Sequence, residues 1–164
     1  RGDDFIITLG ANELMSSRMS GSEEALALMT CDRLQTDAPH LLVGGYGMGF
    51  TLRAALARLG PQARFTVAEL VPEIIDWARG PMAALTAGCL DDPRVALVTR
   101  DVARAIRSAS RSSYDAILLD VDNGPDGLTP SGDLLGKDYT HPSDKGNEVI
   151  ARVLTDLGYT PLVP

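Results

Sequence analysis

Short apolar runs alternate with helical segments between residues 40 and 120. Four of these runs are rich enough in aliphatic residues to be strands buried on both faces. The predicted strands are residues 40–44, 64–69, 95–99 and 114–119. The predicted helices between them are residues 50–59, residues 72–87 with a break at Gly80-Pro81, and residues 102–109. This alternation predicts an α/β fold, a doubly wound and mostly parallel Rossmann-like sheet with helices on both faces.

The flanking segments have other patterns. Phe5 to Leu9 and Glu13 to Met15 are predicted strands around a turn, which makes an N-terminal hairpin within residues 1–20. Ser22 precedes two glutamates and is the predicted N-cap of a helix that ends near Leu34 or Gln35. Residues 121–141 lack periodicity and predict a long loop, and residues 142–164 predict a helix with room for one more strand. We therefore expect a single domain, residues 1–164, whose α/β core is residues 21–120.

Composition narrows the functional classes. The chain has 164 residues, 22 acidic and 15 basic, and its net charge of −7 argues against non-specific nucleic-acid binding, which needs a basic face. No apolar run approaches the ~20 residues of a membrane-spanning helix, so we expect no membrane partner. Cys31 and Cys89 have no metal-ligand spacing, and one pair is not a disulfide framework. We expect two free thiols in a reducing, cytoplasmic setting and no bound metal.

A glycine-rich turn follows the first predicted parallel strand. Gly45, Gly47 and Gly49 stand at every second position between residues 40–44 and the predicted helix 50–59. Glycines allow a sharp turn and a close approach of the backbone to a ligand, and the helix start offers unpaired N–H groups. A pyrophosphate-binding turn has a longer spacing and a third glycine that this turn lacks. The shorter turn favours S-adenosylmethionine or a relative over NAD.

Acidic residues follow each of the other predicted strands. Glu69 lies about 20 residues after the last glycine, the spacing at which a carboxylate binds both ribose hydroxyls; the alternative is a solvated strand end. Asp101 could accept from an adenine amino group, or simply cap the next helix. Asp120, with Asp122 close behind it, could hold a cation or take a proton from an amine, or be an ordinary loop carboxylate. Because strand ends share one edge of a parallel sheet, we expect these residues to meet there.

Several of these segments resemble sequence motifs of spermidine synthases and occur in the same order along the chain. Residues 43–53, Val-Gly-Gly-Tyr-Gly-Met-Gly-Phe-Thr-Leu-Arg, resemble the family's glycine motif, and residues 67–73 resemble its Val-Glu-Ile-Asp-Pro-Glu segment. Residues 91–95 and 100–101 are similar to its Asp-Pro-Arg-Val and Gly-Asp steps. Residues 114–120 are similar to its Tyr-Asp-Val-Ile-Ile-x-Asp segment, and residues 15–18 resemble an upstream Ser-Ser-Arg segment. The likeness covers about residues 4 to 129.

The resemblance implies a fold and an activity. The fold would be that of class I S-adenosylmethionine-dependent methyltransferases, and the reaction would be aminopropyl transfer from decarboxylated S-adenosylmethionine to a small polyamine. By resemblance, Glu69 would bind the ribose and Asp101 the adenine, while Asp120, with Asp122 nearby, would orient or deprotonate the attacking amine. The resemblance also allows a homodimer. Methyl transfer and a catalytically silent cofactor-fold module remain alternatives.

Two departures from the family stand out. Gly47 stands where the family's glycine motif usually has an aspartate. The family's Asp-Ser-x-Asp-Pro segment corresponds to residues 120–125, and its second aspartate is replaced by Asn123, with Asp122 one residue away. Residues 138–151 instead resemble the last block of SGNH hydrolases, in which an Asp-x-x-His step supplies the acid and base of a serine triad. That resemblance makes Asp138 and His141 candidates in a hydrolase remnant. No Gly-Asp-Ser nucleophile block accompanies them, and the alternative is a loop and cap for the last helix.

Overall fold

A four-stranded parallel sheet forms the centre of the computed structural model, which describes residues 4–9 and 12–120. Its strands are β3 (His40–Gly44), β4 (Arg64–Glu69), β5 (Val95–Thr99) and β6 (Ala116–Leu119), in the order β5-β4-β3-β6. A separate antiparallel hairpin is formed by β1 (Ile6–Leu9) and β2 (Asn12–Ser16), with a bulge between Ile7 and Thr8. The predicted parallel Rossmann-like sheet and the N-terminal hairpin are therefore confirmed.

The helices fill the intervals between the strands. Helix α1 (Gly21–Cys31) precedes β3, α2 (Phe50–Arg58) connects β3 to β4, and α3 (Pro72–Arg79) follows β4. Proline at the first position suits α3, since the missing N–H would have no helical partner there. The break at Gly80 separates α3 from the short α4 (Ala83–Thr86) and a 3-10 turn at Cys89–Asp91. Helix α5 (Val102–Ser108) connects β5 to β6.

The two faces of the sheet bury alternate residues of β3. Leu41 and Val43 pack on the face covered by α1 and α2, in the larger apolar cluster. Leu42 packs on the other face with Ala105 and Ile106 of α5. Successive side chains of a strand point to opposite faces, so a central strand covered twice needs apolar residues at every position. This is why residues 41–43 form an unbroken aliphatic run.

Three boundary predictions need correction. Ser22 does not cap α1: the helix begins at Gly21 after Ser20, and the hydroxyl of Ser22 donates to Glu23 instead. Helix α1 also ends at Cys31, before the predicted Leu34. Strand β6 begins at Ala116 rather than residue 114, because the Asp115 carboxylate accepts from the backbone N–H of His40 at the start of β3. The strand starts are thus set partly by side-chain contacts.

Some expectations fall on residues outside the structural description. The predicted loop 121–141 and the predicted elements of residues 142–164 lie there. Both cysteines are buried free thiols, as expected. Among residues 4–9 and 12–120, no helix has the length and apolar character that crossing a membrane requires.

Candidate active site

The carboxyl ends of three neighbouring strands place the glycine turn between two carboxylates. Gly44 pairs in register with Ala68 of β4 on one side and with Leu119 of β6 on the other. The next residues along each strand, Glu69 and Asp120, therefore lie at the same level on either side of the turn. The order of the strands changes direction between β3 and β6, and crevices at such switch points are where open α/β sheets bind ligands.

Three left-handed glycines form the turn itself. Gly45, Gly47 and Gly49 have φ values of 84°, 53° and 76°, which residues with a Cβ rarely adopt. The N–H of Gly45 donates to the carbonyl of Ala68 at 2.9 Å, which ties the turn to β4. Gly49 is the N-cap of α2, so the first turn of this helix faces the same edge of the sheet. The turn thus brings the N-terminus of α2 to the same edge of the sheet as Glu69 and Asp120.

The carboxylate of Glu69 is bound to the glycine turn. Its Oε2 accepts the backbone N–H of Tyr46 at 2.8 Å, and its Oε1 accepts the N–H of Val71 at 2.8 Å. The residue is only 7% exposed. The solvated strand end considered as the alternative is therefore excluded for this side chain. Each carboxylate oxygen has a second lone pair, so two further O–H donors can be accommodated in the same plane.

Asp120 lies across β3 from Glu69, against the start of α2. Its Oδ2 accepts the hydroxyl hydrogen of Thr51 at 2.7 Å, and its N–H donates to Gly44 at 2.9 Å. Burial raises the pKa of Asp120 above the usual carboxyl range, the Thr51 hydrogen bond opposes this rise, and the charge of Glu23 adds to it. A carboxylate with a raised pKa accepts a proton more readily than a solvated one does.

Asp101 is occupied as a helix cap. Its Oδ1 accepts the backbone N–H of Arg104 at 2.9 Å, in the geometry of the N-cap of α5. It follows the end of β5 by two residues, at the same edge of the sheet but one strand beyond Glu69. The alternative that the sequence left open, a structural cap, is thus realised, and the adenine role stays a prediction.

Three residues at this edge were missed in the sequence. Tyr46 donates its N–H to Glu69, and its ring is buried with the hydroxyl 3.3 Å from Sγ of Cys89. Burial raises the pKa values of both the Tyr46 phenol and the Cys89 thiol, so both stay protonated. Met15 of the hairpin covers Gly47, where an added Cβ would lie 2.5 Å from its Sδ. One feature of the sequence could have pointed to Thr51: it is a single hydroxyl residue between two apolar residues just after the glycine turn.

The geometry brings together part of the predicted set. The glycines, Glu69 and Asp120 share one edge, whereas Asp122, Asp138 and His141 lie outside the described residues. Within the part of the chain that the structure describes, no group of three or more His, Cys, Asp or Glu side chains could hold a metal ion. The site is therefore built from the buried carboxylate of Glu69, bound to the glycine turn, and the half-buried carboxylate of Asp120, bound to the first turn of α2.

Known proteins with related sequences match more than half of the chain. No protein-family model matches it. Polyamine aminopropyltransferase 2 of Pseudomonas aeruginosa is 31% identical over 134 residues, which cover 70% of this chain and 38% of that protein. Putrescine N-methyltransferase 4 of Nicotiana tabacum is 33% identical over 99 residues, or 60% of this chain and 24% of that protein. The chain thus spans well under half the length of these curated relatives.

Solved structures give the fold. A crystal structure of spermidine synthase in complex with the transition-state analogue AdoDATO matches with a TM-score of 0.60 at 24% identity, over 70% of this chain and 39% of that one. By fold, the protein is a class I S-adenosylmethionine-dependent methyltransferase-like α/β protein, truncated relative to that neighbour. Within this class, the chain is similar in sequence to polyamine aminopropyltransferases of the spermidine synthase-like family, over the 38% of the Pseudomonas protein that it covers.

Proposed function

We propose that the chain binds an S-adenosyl donor between Glu69 and Asp120 and transfers its aminopropyl group to a small polyamine. The observation that carries the proposal is the buried carboxylate of Glu69, which faces the glycine turn through the N–H of Tyr46. A carboxylate held in this way keeps free lone pairs for a pair of ribose hydroxyls. The names of the curated relatives, a polyamine aminopropyltransferase among them, support the amine as acceptor.

The donor site fits such a nucleoside in charge and shape. Glu69 would accept the ribose hydroxyls, and the turn at Gly45 lets the backbone come close to the ligand because no Cβ intervenes. Asp101 keeps one oxygen outside its capping bond, which would face an adenine amino group at the neighbouring strand end. The donor, when bound, supplies a carbon activated by the adjacent sulfonium. The sulfur leaves as a neutral thioether, so no oxyanion hole is needed.

The acceptor side would be organised by Asp120. An amine attacks only when its nitrogen lone pair is free, so a proton must leave the ammonium form before or during the attack. Asp120 is partly buried, and its raised pKa suits it to take that proton or to hold a neighbouring ammonium group. The new carbon–nitrogen bond forms as the carbon–sulfur bond breaks, with the electron pair staying on sulfur. The protein's main contribution would be alignment of the two partners.

Methyl transfer to an amine is the second candidate. The putrescine N-methyltransferase match favours it, since that protein is 33% identical over 60% of this chain. Both reactions use an S-adenosyl donor and an amine acceptor, and they differ in which carbon beside the sulfonium is transferred. The proposed residues keep the same roles in both.

Ligand-induced thermal shifts test the donor site. Methylthioadenosine and S-adenosylmethionine at about 100 times their Kd should stabilise the protein by roughly 2.7 kcal/mol, or about 5–10 °C in Tm. Glu69→Gln should abolish this shift, because its NH₂ group cannot accept a ribose hydroxyl and its neutral amide oxygen is a weaker acceptor than a carboxylate oxygen. Glu13→Gln, the same chemical change at an exposed position of the hairpin, should keep the shift.

Product analysis then separates the two reactions. Incubation with putrescine and decarboxylated S-adenosylmethionine should release methylthioadenosine if the aminopropyl group is transferred. Incubation with putrescine and S-adenosylmethionine should release S-adenosylhomocysteine if the methyl group is transferred. A shift that survives in Glu69→Gln would refute the proposed donor site. Binding without either product on any amine would refute transfer and leave the silent cofactor-fold module.

A further inference from the structure

The hydroxyl of Thr51 links the glycine-turn helix to Asp120. Thr51 is the second residue of α2 and is only 2% exposed. Its Oγ1 lies 2.7 Å from Oδ2 of Asp120 and 3.4 Å from the carbonyl of Glu23 in α1. A hydroxyl has one hydrogen to donate. Of the two acceptors, the Asp120 carboxylate is both closer and stronger than the Glu23 carbonyl. The Thr51 hydrogen bond is therefore assigned to Asp120.

The position in the helix explains why this hydroxyl is available. Threonine inside a helix commonly bonds the carbonyl four residues back, but Thr51 is too close to the helix start to have a helical carbonyl there. Its hydroxyl instead points away from α2, towards the end of β6 and the Glu23 carbonyl of α1. Strand β6 ends at Leu119, and the next residue, Asp120, accepts this bond. The contact spans 69 positions in the sequence.

The bond to Thr51 holds Oδ2 of Asp120 in place and thereby also fixes the direction in which Oδ1 points. With Oδ2 bonded to Thr51 and the backbone N–H of Asp120 bonded to Gly44, the carboxylate has little rotational freedom. Of the surrounding elements, α1 contributes the charge of Glu23, α2 contributes the Thr51 hydroxyl, and β3 contributes a backbone carbonyl. Glu23 and burial disfavour the ionised carboxylate, and the Thr51 hydroxyl is the group that favours it.

We propose that Thr51 is a positioning residue, which holds Asp120 in the ionised, oriented form that receives the proton of the acceptor amine. This proposal rests on the function proposed above. It makes the first turn of α2 serve both halves of the site, since the same helix start carries the glycine turn on the donor side. A donor that orders the turn would also order the group facing the acceptor.

Three variants separate positioning from plain structural support. Thr51→Val keeps the shape and removes the hydroxyl, Thr51→Ser keeps the hydroxyl, and Thr66→Val is the matched control. The Thr66 hydroxyl is 2.9 Å from Nε2 of His40, which begins β3 at the opposite edge of the sheet, so its loss removes another threonine side-chain hydrogen bond away from Asp120. All three are compared for Tm, for kcat and KM, and for the pH dependence of kcat.

The expected pattern is specific. Thr51→Val should lower kcat about tenfold with little change in the KM of the donor, and should move the acidic limb of the kcat profile to higher pH. Thr51→Ser should restore both values. Thr66→Val should lower Tm and leave the acidic limb where it is in the wild type.

Titration of the carboxyl itself keeps the test independent of turnover. Carbon-13 NMR of labelled aspartates, with the Asp120 signal identified by its loss in Asp120→Asn, should show a higher pKa in Thr51→Val than in the wild type. An unchanged Asp120 titration in Thr51→Val, or an acidic limb that moves equally in Thr66→Val, would overturn the role of Thr51. Loss of the nucleoside-induced Tm shift is the separate sign of a failed donor site.

Discussion

Replacing Glu69 by glutamine should destabilise the protein even without a ligand. The two carboxylate oxygens accept one N–H each, from Tyr46 and from Val71, both at 2.8 Å. Glutamine has a single acceptor oxygen, so one of these N–H groups must face an NH₂ group instead. Tyr46 is buried and Val71 is exposed, so the amide oxygen should turn to Tyr46 and leave the Val71 N–H to water.

The magnitude follows from these two bonds. Losing a hydrogen bond to a charged group costs about 1.5–3 kcal/mol, and the bond that remains weakens because its acceptor is now neutral. Partial rescue by water at Val71 keeps the sum at about 2–3 kcal/mol. For a chain of this size, each kcal/mol corresponds to about 2–4 °C, so the Tm of Glu69→Gln should fall by roughly 5–10 °C.

Urea denaturation and thermal melting of the ligand-free protein measure this loss. Glu13→Gln, exposed on the hairpin, is the matched control and should stay within about 0.5 kcal/mol of the wild type. If Glu69→Gln unfolds at the same urea concentration as the wild type, the carboxylate does not brace the glycine turn, and the reasoning that joins β4 to the donor site is wrong.

The remaining predictions concern the same edge. Gly49→Ala should cost about 3 kcal/mol or more, because its Cβ would meet the buried Tyr46 ring at 2.6–2.8 Å, whereas Gly47→Ala should cost about 1–2 kcal/mol, since the Met15 thioether can move aside. Equal losses in urea unfolding would contradict this. Burial raises the pKa of Asp120, so its contribution to stability is complete below the ordinary carboxyl pKa and is lost as pH rises through the raised value. Asp120→Asn should therefore melt a few degrees higher than the wild type at about pH 8 and gain nothing at about pH 3; a gain that persists in acid would point to packing instead.

Much of the fold could be predicted from local patterns. Buried parallel strands are unbroken aliphatic runs, so β3 and β4 were predicted with the bounds that the structure has. That Glu69 and Asp120 lie at the same edge of the sheet could also be predicted, because the carboxyl ends of parallel strands meet at one edge. The start of α1 was misplaced because Ser20 and Ser22 both suit a cap, and only packing of the helix selects one of them.

The contacts across the site could not be predicted in the same way. The ring of Tyr46 lies between two flexible glycines, so nothing local determines where it points. Met15 meets Gly47 only because of how the hairpin packs on the core, and Thr51 finds Asp120 only because β6 lies next to β3. Such long-range contacts depend on strand order and packing, which no periodicity of the sequence encodes.

The register of β3 between β4 and β6 has a consequence for how acceptors could diversify. Neighbouring strands lie about 4.8 Å apart, so the ends of β4 and β6 are separated by roughly 10 Å across β3. This span is a property of the sheet backbone, and a slip of one residue would invert the faces of a whole strand. If Glu69 and Asp120 hold the donor and the acceptor as proposed, the sheet keeps the distance between the two halves of the reaction constant. The segments that follow the strands can then differ, and with them the amine or the transferred group, without changing that distance.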